Sequence, residues 1–277
     1  MSKRSTTLEK NEIEALAIGG FDGVHIAHRI IIEKTGEKGG ALIIEKPGAN
    51  LTPGKYRCLY IKKPCFFMKL SDIKGLSGEE FIEKIEKEFP SLKKIVIGYD
   101  FHFGKERAYK AYDLKKMFKK EVEIVKEIKA ENISVHSRTI REFLKKGDMK
   151  TAKKLLGRDY RIFASVVKGL GIGKKELVAT LNLDPDGFLL PKEGVYASFC
   201  KIENKLFPAA TFIGKRETID GSFSVETHII GKEIETPEEK VELIFKEFVR
   251  ENRKFPSLKE LKKQILKDIE KINEILS

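Results

Sequence analysis

The stretch AIGGFDGVHIAHR, Ala17–Arg29, carries the residue types of a phosphate site between an apolar run and a predicted helix. A strand, a glycine turn and a helix start together present free backbone N–H groups and the positive end of the helix dipole to an anion. His25 and His28 are three residues apart, so they share one face of the first helical turn. The pattern favours phosphate chemistry. A metal site is disfavoured because no Glu or Cys completes a ligand set at suitable spacing.

Composition limits the class of protein that can carry this stretch. A chain of 277 residues with 41% hydrophobic residues is long enough for two cores. No apolar run approaches the roughly 18 residues of a membrane span, and we expect no secretory signal behind the charged N-terminus. Cys58, Cys65 and Cys200 form no CxxC pair, which predicts a reducing cytoplasm without a disulfide or zinc framework. The net charge of +12 suits polyanionic partners or a lysine-rich soluble surface.

The first half of the chain alternates predicted strands with predicted helices. Glu14–Gly19 and Gly40–Lys46 are predicted strands, and an apolar helix is expected over Val24–Lys34 between them. A Ser-x-x-Glu pattern at Ser77 opens another helix, and Lys93–Gly98 is again a predicted strand. This order predicts a mostly parallel sheet with helices on its faces.

A helix pair follows, interrupted by Gly147 as a C-terminal cap and Asp148 as the next N-cap. We therefore place a first domain at residues 1–157 and a second at residues 158–277. After Tyr160 short β-branched and aromatic runs are separated by Gly, Pro, Asp and Asn. Such spacing predicts an antiparallel β-barrel or sandwich.

The C-terminal segment, from Pro237 to Ser277, has a helical pattern with a break at Pro256. A capping box is expected to begin at Ser257. The apolar stripe on the last helix is interpreted as a packing face rather than a binding groove; its residues are Leu258, Leu261, Ile265, Ile269 and Ile272.

Several motifs resemble one known family in order along the chain. GGFDGVHIAH resembles the GxFDGxHxGH motif of HxGH nucleotidyltransferases, with Ala27 in place of the second motif glycine. VIGYDFHFGKERA and ISVHSRTIREFLKKGDMKTAKKLLGRDY are similar to segments of prokaryotic bifunctional riboflavin kinase/FAD synthetases. LPKEGVYA, FIGKRET, VETHII and RENRKFPSLKELKKQILKDI resemble the kinase half of that family. The resemblance implies a Rossmann-like nucleotidyltransferase domain with a parallel sheet, then an antiparallel β-barrel kinase domain with a terminal helix.

For the first domain the resemblance implies adenylyl transfer from ATP to FMN, giving FAD and pyrophosphate. His25 and His28 are expected to donate hydrogen bonds to phosphate oxygens. Arg141 is the expected clamp on the β- and γ-phosphates, because its planar fork matches them. Other expected ATP-phosphate residues are Gly20, Phe21, Asp22, Gly23 and Ser137. Asp100, Phe101 and Phe103 are expected to contact the flavin, although two core phenylalanines would explain the same pattern.

For the second domain the resemblance implies phosphorylation of riboflavin to FMN by ATP. Glu226 stands at the family's catalytic glutamate, and a carboxylate is the chemically required base for the ribityl 5′-hydroxyl. Thr180 and Asn182, two residues apart on one strand face, are expected to hold Mg²⁺ and ATP phosphate. Ala179 stands where the family has proline. The glycines of the expected phosphate loop are Gly169, Gly171 and Gly173.

Three other functions stay open at this point. The chain could be an FAD synthetase with a weak or inactive kinase half, a non-catalytic flavin-binding module, or an RNA-binding protein. RNA binding predicts aromatic platforms with clustered arginine, whereas the positive charge here is mostly dispersed lysine. The intact histidine pair, with Arg141 and Glu226, disfavours a non-catalytic module. We therefore expect an enzyme of small-molecule substrates, with no nucleic-acid or membrane partner.

Overall fold

The structure, a computed structural model, describes residues 8–168, 177–232, 234, 237 and 239–277. The chain divides into two compact units, Met1–Ser137 (unit 1) and Arg138–Ser277 (unit 2). This division groups the helix pair with unit 2, while the domain boundary at residues 157/158 stays a prediction. Among the described helices, none combines the length and apolar character needed to cross a bilayer.

Unit 1 is built on a parallel sheet. Its strands are β1 (Ala15–Gly19), β2 (Gly39–Glu45), β3 (Cys65–Lys69), β4 (Lys94–Gly98) and β7 (Glu121–Val125). The short strands β5 (His102–Phe103) and β6 (Tyr109–Lys110) pair with each other between β4 and β7 in the chain. The order is β3–β2–β1–β4–β7, and all four pairings are parallel as predicted. The order changes direction between β1 and β4. Open α/β sheets form their ligand crevice at such a switch point, outside the carboxyl ends of the strands.

Helices cover both faces of this sheet, so its strands are apolar on both sides. The helices are α1 (Ile26–Glu33), α2 (Gly78–Glu88) and α3 (Ala111–Met117). Leu16 and Ile18 of β1 enter one core, whereas Ala17 enters the other. The predicted capping box of α2 is confirmed: Ser77 N–H donates to Glu80 Oε2 at 2.7 Å, and Glu80 N–H donates to Ser77 Oγ at 3.1 Å.

The short strands β8 (Lys129–Ala130) and β9 (Ile133–Ser134) precede the helix pair α4 (Ser137–Lys146) and α5 (Met149–Leu156). Gly147 adopts the left-handed φ of 77° expected of a helix end, and Asp148 Oδ1 accepts the Thr151 N–H at 2.9 Å. Both predicted caps are therefore confirmed. The pair packs within unit 2, where Lys192 N–H donates to Leu144 O at 2.9 Å.

Unit 2 contains a closed antiparallel barrel, which confirms the predicted architecture. Its strands are β10 (Arg161–Val167), β11 (Leu181–Pro185), β12 (Gly194–Ile202), β13 (Lys205–Lys215), β14 (Phe223–Ile229) and β15 (Val241–Arg250), in the order β10–β11–β14–β13–β12–β15. Inside the barrel Ser198, Thr211 and Thr227 form a buried chain of hydroxyl groups, with oxygen–oxygen distances of 2.7 and 3.0 Å.

The prediction of helix from Pro237 onward is wrong over Val241–Arg250, which forms β15. This strand pairs with both β10 and β12 and thereby closes the barrel. Its sequence VELIFKEFVR buries Val241, Leu243 and Phe245, and the gain from closing the barrel overrides the local helical pattern. The prediction holds for α6 (Leu258–Leu276), where Glu260 N–H donates to Ser257 Oγ at 3.3 Å.

An ion pair fastens α6 to the barrel. Arg250 Nε lies 3.0 and 2.9 Å from the two Asp268 oxygens, and Arg250 Nη2 lies 2.7 Å from Oδ2. Gln264 Nε2 donates to the same carboxylate at 2.8 Å. Asp268 is only 6% exposed. If it is removed, water can only incompletely replace its carboxylate as the partner of the Arg250 guanidinium.

We expect Asp268→Ala to lower the free energy of unfolding by about 3 kcal/mol, the low end for breaking a buried pair, because Arg250 keeps partial solvent contact. Urea denaturation of the full chain measures the loss. The control Glu270→Ala removes an exposed carboxylate from the same helix and is expected to change stability by less than about 0.5 kcal/mol. Equal stability of the Asp268 and Glu270 variants would contradict the assigned role.

Candidate functional site

The glycine turn after β1 is a tightly bonded loop at the carboxyl edge of the sheet. Asp22 Oδ1 accepts the Thr52 N–H at 3.0 Å, and Gly23 N–H donates to Thr52 Oγ1 at 2.8 Å. Phe21 and Val24 adopt positive φ values of 46° and 37°. Such backbone geometry is rare for residues with side chains, especially β-branched ones, and it is concentrated at functional sites.

The two histidines of the turn lie against each other. His25 is the N-cap of α1, and its Nδ1 accepts the His28 N–H at 3.4 Å. The rings stack with centroids 3.5 Å apart, and Phe21 packs edge-on against His28 at 5.3 Å. His28 Nδ1 is buried and has no hydrogen-bond partner among the described residues. A ring nitrogen at the start of the helix is therefore left without a partner from the described residues.

The surroundings of His28 keep its ring neutral. Burial contributes most to lowering the pKa of His28 well below 6.5. Nearby basic groups act in the same direction; in order of effect they are His25, His136, Lys46 and Arg57. A neutral imidazole has one donor and one acceptor nitrogen, so His28 can donate one hydrogen bond to an anion.

The depressed pKa of His28 makes a testable contribution to stability. Below about pH 6.5 the unfolded chain binds a proton at this histidine that the folded chain does not bind. The free energy of unfolding should therefore fall as the pH drops below 6.5, by at most about 1.4 kcal/mol per pH unit from this group. Urea denaturation between pH 7.5 and 5.5 should show a shallower dependence for His28→Gln than for the wild type. An unchanged slope in His28→Gln would refute the assignment.

Polar and aromatic residues follow β4 on the other side of the switch point. Tyr99 OH lies 3.1 Å from His136 Nε2, and Asp100 Oδ2 lies 3.7 Å from His136 Nδ1. The Asp100 side chain is exposed and Phe101 is half-buried. Phe103 is only 5% exposed and packs in the core. Its ring stacks on Phe101 at 5.9 Å, and its flavin contact stays a prediction.

The remaining predicted residues of the first site lie at the start of α4. Ser137 Oγ donates to Asp22 O at 2.7 Å, so the hydroxyl braces the glycine turn. Arg138 is exposed and pairs with Glu142 at 3.3 Å. Arg141 is half-buried on the same helix, in unit 2. Its role as a phosphate clamp stays a prediction.

Unit 2 has a cleft on the outside of the barrel, between β13, β14 and α6. It contains about 770 Å³ of empty space, part of it open to solvent. Strand β14 alternates: Val225 and Thr227 are buried inside the barrel, whereas Glu226 and His228 line the cleft. The alternating pattern of FSVETHII, which is typical of a strand, thus also places the Glu226 carboxylate in the cleft.

Glu226 is held by three groups. Its Oε1 accepts from Ser224 Oγ at 3.0 Å and lies 3.5 Å from Arg216 Nη1. Its Oε2 lies 3.4 Å from Thr180 Oγ1. Arg216 also pairs with Asp220 at 3.1 Å. The carboxylate is thereby oriented while it remains at the cleft surface, as a proton acceptor requires.

Thr180 and Asn182 both lie next to Glu226. Asn182 is directly opposite Glu226 in the β11–β14 pairing, so their side chains share a face, and Thr180 lines the cleft itself. Hydroxyl, amide and carboxylate oxygens are the donors that Mg²⁺ prefers, so these residues fit the ion. His228 Nδ1 lies 2.8 Å from the carbonyl oxygen of Ala179. The expected phosphate-loop glycines lie outside the described residues; they are Gly169, Gly171 and Gly173.

Several cleft residues were missed by the sequence analysis. Leu261 and Ile265 line the cleft, so the apolar stripe of α6 is not only a packing face as interpreted, although Ile272 is fully buried. Phe255 also lines the cleft, and the guanidinium of Arg253 lies 4.9 Å from its ring centroid. The signal available in the sequence was the arginine and phenylalanine of the segment RENRKF, because guanidinium groups are attracted to aromatic rings.

A histidine-bearing glycine turn on a parallel sheet, followed by a barrel cleft with an oriented carboxylate, is the organisation of an enzyme with two phosphate-transfer sites. The family model described as FAD synthetase matches residues 61–139, and the one described as riboflavin kinase matches residues 156–276. The chain belongs to the family of bifunctional riboflavin kinase/FMN adenylyltransferases.

Individual relatives match over nearly the full length. The bifunctional riboflavin kinase/FMN adenylyltransferase of Buchnera aphidicola subsp. Schizaphis graminum is 30% identical, with 94% of this chain and 93% of the relative covered. The enzyme of that name from Haemophilus influenzae is 29% identical over 92% of each. A crystal structure described as a macrolide-efflux protein from Streptococcus pneumoniae is similar with a TM-score of 0.81 at 26% identity, covering 94% of this chain and 93% of that one.

Proposed function

We propose that this chain makes both flavin cofactors: the barrel cleft converts riboflavin and ATP to FMN, and the glycine turn converts FMN and ATP to FAD and pyrophosphate. The observation that supports it most is the oriented Glu226 carboxylate beside Thr180, in a chain that also carries the paired His25 and His28. The glycine turn lies in unit 1 and the barrel cleft in unit 2.

In the kinase reaction Glu226 accepts the proton of the ribityl 5′-hydroxyl as its oxygen attacks the γ-phosphorus of ATP. The new bond joins that oxygen to phosphorus, and the bond to the β-phosphate oxygen breaks to release ADP. Ser224 and Arg216 hold the carboxylate in place. Thr180 and Asn182 would hold Mg²⁺, which when bound neutralises phosphate charge during transfer.

In the adenylyl transfer the FMN phosphate oxygen attacks the α-phosphorus of ATP and pyrophosphate leaves. No covalent enzyme intermediate is needed, so catalysis consists of positioning and charge stabilisation. His28 donates to a phosphate oxygen, and the free N–H groups at the start of α1 contribute further donors. We assign Arg141 to the β- and γ-phosphates, and Asp100 with Phe101 to the flavin. The free cysteines fit a cytoplasmic enzyme.

The full chain, incubated with riboflavin, ATP and Mg²⁺, should yield FMN first and FAD later when the flavins are separated by chromatography. Supplying FMN in place of riboflavin should give FAD directly. FAD formed from supplied FMN, with no FMN formed from riboflavin, would support the alternative of an inactive kinase half. No conversion of either flavin would refute both proposed activities.

The boundary of the kinase unit can be tested by truncation. We expect a fragment of residues 138–277 to fold alone and to phosphorylate riboflavin, because its barrel closes its own core. A fragment of residues 158–277 should also be active but less stable, since it lacks the α5 contacts with β15 and the bond from Lys192 to Leu144. Thermal denaturation compares the two. A shorter fragment as stable as the longer one would place the boundary at 157/158.

A further inference from the structure

A lysine that no motif identifies lies at the mouth of the glycine turn. In the parallel pairing of β1 with β2, Gly19 is opposite Ile43, so the residues after both strands meet at one edge of the sheet. A methyl group placed on Gly20 would lie 3.6 Å from Lys46 Cε and 4.0 Å from Lys46 Nζ. The Lys46 ammonium is therefore beside the backbone of the turn.

Lys46 differs from other lysines around the sheet of unit 1. Lys38 and Lys93 both pair with Glu14, at 2.7 and 2.9 Å. Lys46 is exposed and follows Glu45 directly, yet across the described parts of the chain it forms no ion pair. Its charge is thus available to a ligand that reaches the turn.

A buried arginine provides a second, independent observation. Arg57, on the 3-10 helix Gly54–Tyr60, is only 2% exposed. Its Nε has no hydrogen-bond partner among the described residues, and its Nη1 reaches Gly54 O only at 3.5 Å. Burial lowers the pKa of Arg57, while the negative charges of Asp22 and Glu45 act in the opposite direction. A buried guanidinium that is incompletely bonded is costly, so it calls for a structural or functional explanation.

We propose that Lys46 binds the pyrophosphate portion of the nucleotide at the glycine turn, and that Arg57 is a positioning residue whose buried charge acts on Asp22 of that turn. The inference rests on the proposed adenylyl transfer and adds two residues to it. The group bound comprises the β- and γ-phosphates of ATP, which leave as pyrophosphate. The FMN phosphate has the same chemistry, so the test separates the two sources.

Steady-state FAD formation by the full chain tests Lys46. Lys46→Met should raise the KM for ATP and the inhibition constant of pyrophosphate about tenfold, the loss of one charge-assisted hydrogen bond, while the KM for FMN stays within about twofold. The control is Lys55→Met, which removes an exposed charge from the 3-10 helix of Arg57. An unchanged KM for ATP overturns the proposal, and so does an increase confined to the KM for FMN.

Inorganic pyrophosphate provides a test that needs no turnover. Calorimetric titration into the full chain should show binding that Lys46→Met weakens about tenfold and Lys55→Met leaves unchanged. The titration distinguishes a failure of the proposed adenylyl transfer from a failure of the role proposed for Lys46. A wild type that binds pyrophosphate but forms no FAD refutes the proposed function alone, whereas FAD formation with equal pyrophosphate binding by wild type and Lys46→Met refutes the inference alone.

Arg57 is tested by its conservative variant. Arg57→Met should lower kcat for FAD formation about tenfold or more, and Arg57→Lys should recover most of it, because the positive charge toward Asp22 is retained. Urea denaturation of the full chain checks that unit 1 of each variant is folded, because FMN formation from riboflavin uses unit 2. Equal loss in both Arg57 variants, with normal FMN formation, would overturn the positioning role. Full FAD activity in Arg57→Met would overturn it as well.

Discussion

Replacement of Glu226 by glutamine is expected to slow FMN formation from riboflavin by about a thousandfold, within the range for loss of a general base. The substitution is nearly isosteric, so the new side chain could still accept from Ser224 through its amide oxygen. What it loses is the ability to take the proton of the ribityl hydroxyl. The KM for ATP should change much less than kcat, because Glu226 acts on the hydroxyl rather than on the nucleotide.

Two comparisons make the Glu226 prediction specific. Glu217→Gln removes another carboxylate that lines the same cleft, and it should keep kinase activity within about threefold because Glu217 is not placed on the reacting hydroxyl. FAD formation from supplied FMN should be normal in both variants. Kinase activity above about a tenth of the wild type in Glu226→Gln would show that the base lies elsewhere, since loss of a general base costs more than this.

Replacement of His28 by alanine should lower FAD formation from FMN by about a hundredfold to a thousandfold, the usual effect of losing one donor to developing phosphate charge. The substitution also removes the ring that stacks on His25 at 3.5 Å. It leaves the N-cap nitrogen and the helix N–H groups in place, so residual activity is expected. FMN formation from riboflavin should be unaffected, because it uses unit 2.

The matched control for His28 is Glu33→Ala, at the exposed end of the same helix. It should keep normal FAD formation, because Glu33 is about two helical turns away from the glycine turn. Parallel loss of both reactions in a folded His28→Ala protein would contradict the two-site arrangement. Normal FAD formation in this variant would remove His28 from the site.

The sequence predicted most of unit 1 because local signals and the final fold agree there. Ser77 forms its capping box with Glu80, and in unit 2 Gly147 and Asp148 cap their helices as expected. The glycine turn was located correctly, but its internal bonding was not predictable. Thr52 is 30 residues from Asp22, and only the parallel sheet brings the two together.

The missed features depend on tertiary closure. Val241–Arg250 satisfies helical and strand periodicity alike, and the open edges of β10 and β12 decide between them. Lys46 and Arg57 belong to no recognisable sequence motif. The pairing of β1 with β2 places Lys46 beside the turn, and the 3-10 helix that follows β2 carries Arg57. Leu261 and Ile265 have the spacing expected of any packed helix. They line a cleft only because α6 lies against the barrel in the folded unit.

The alternation of β14 has an evolutionary consequence. Val225 and Thr227 maintain the barrel interior while Glu226 and His228 face the ligand, so substitutions that retune the chemistry can accumulate at even-numbered positions without disturbing the fold. Single-residue insertions are different, because a shift by one position exchanges the two faces. Point mutations at the cleft-facing positions of β14 can therefore change substrate preference in small steps. A change in strand length would disrupt both the barrel core and the cleft at once.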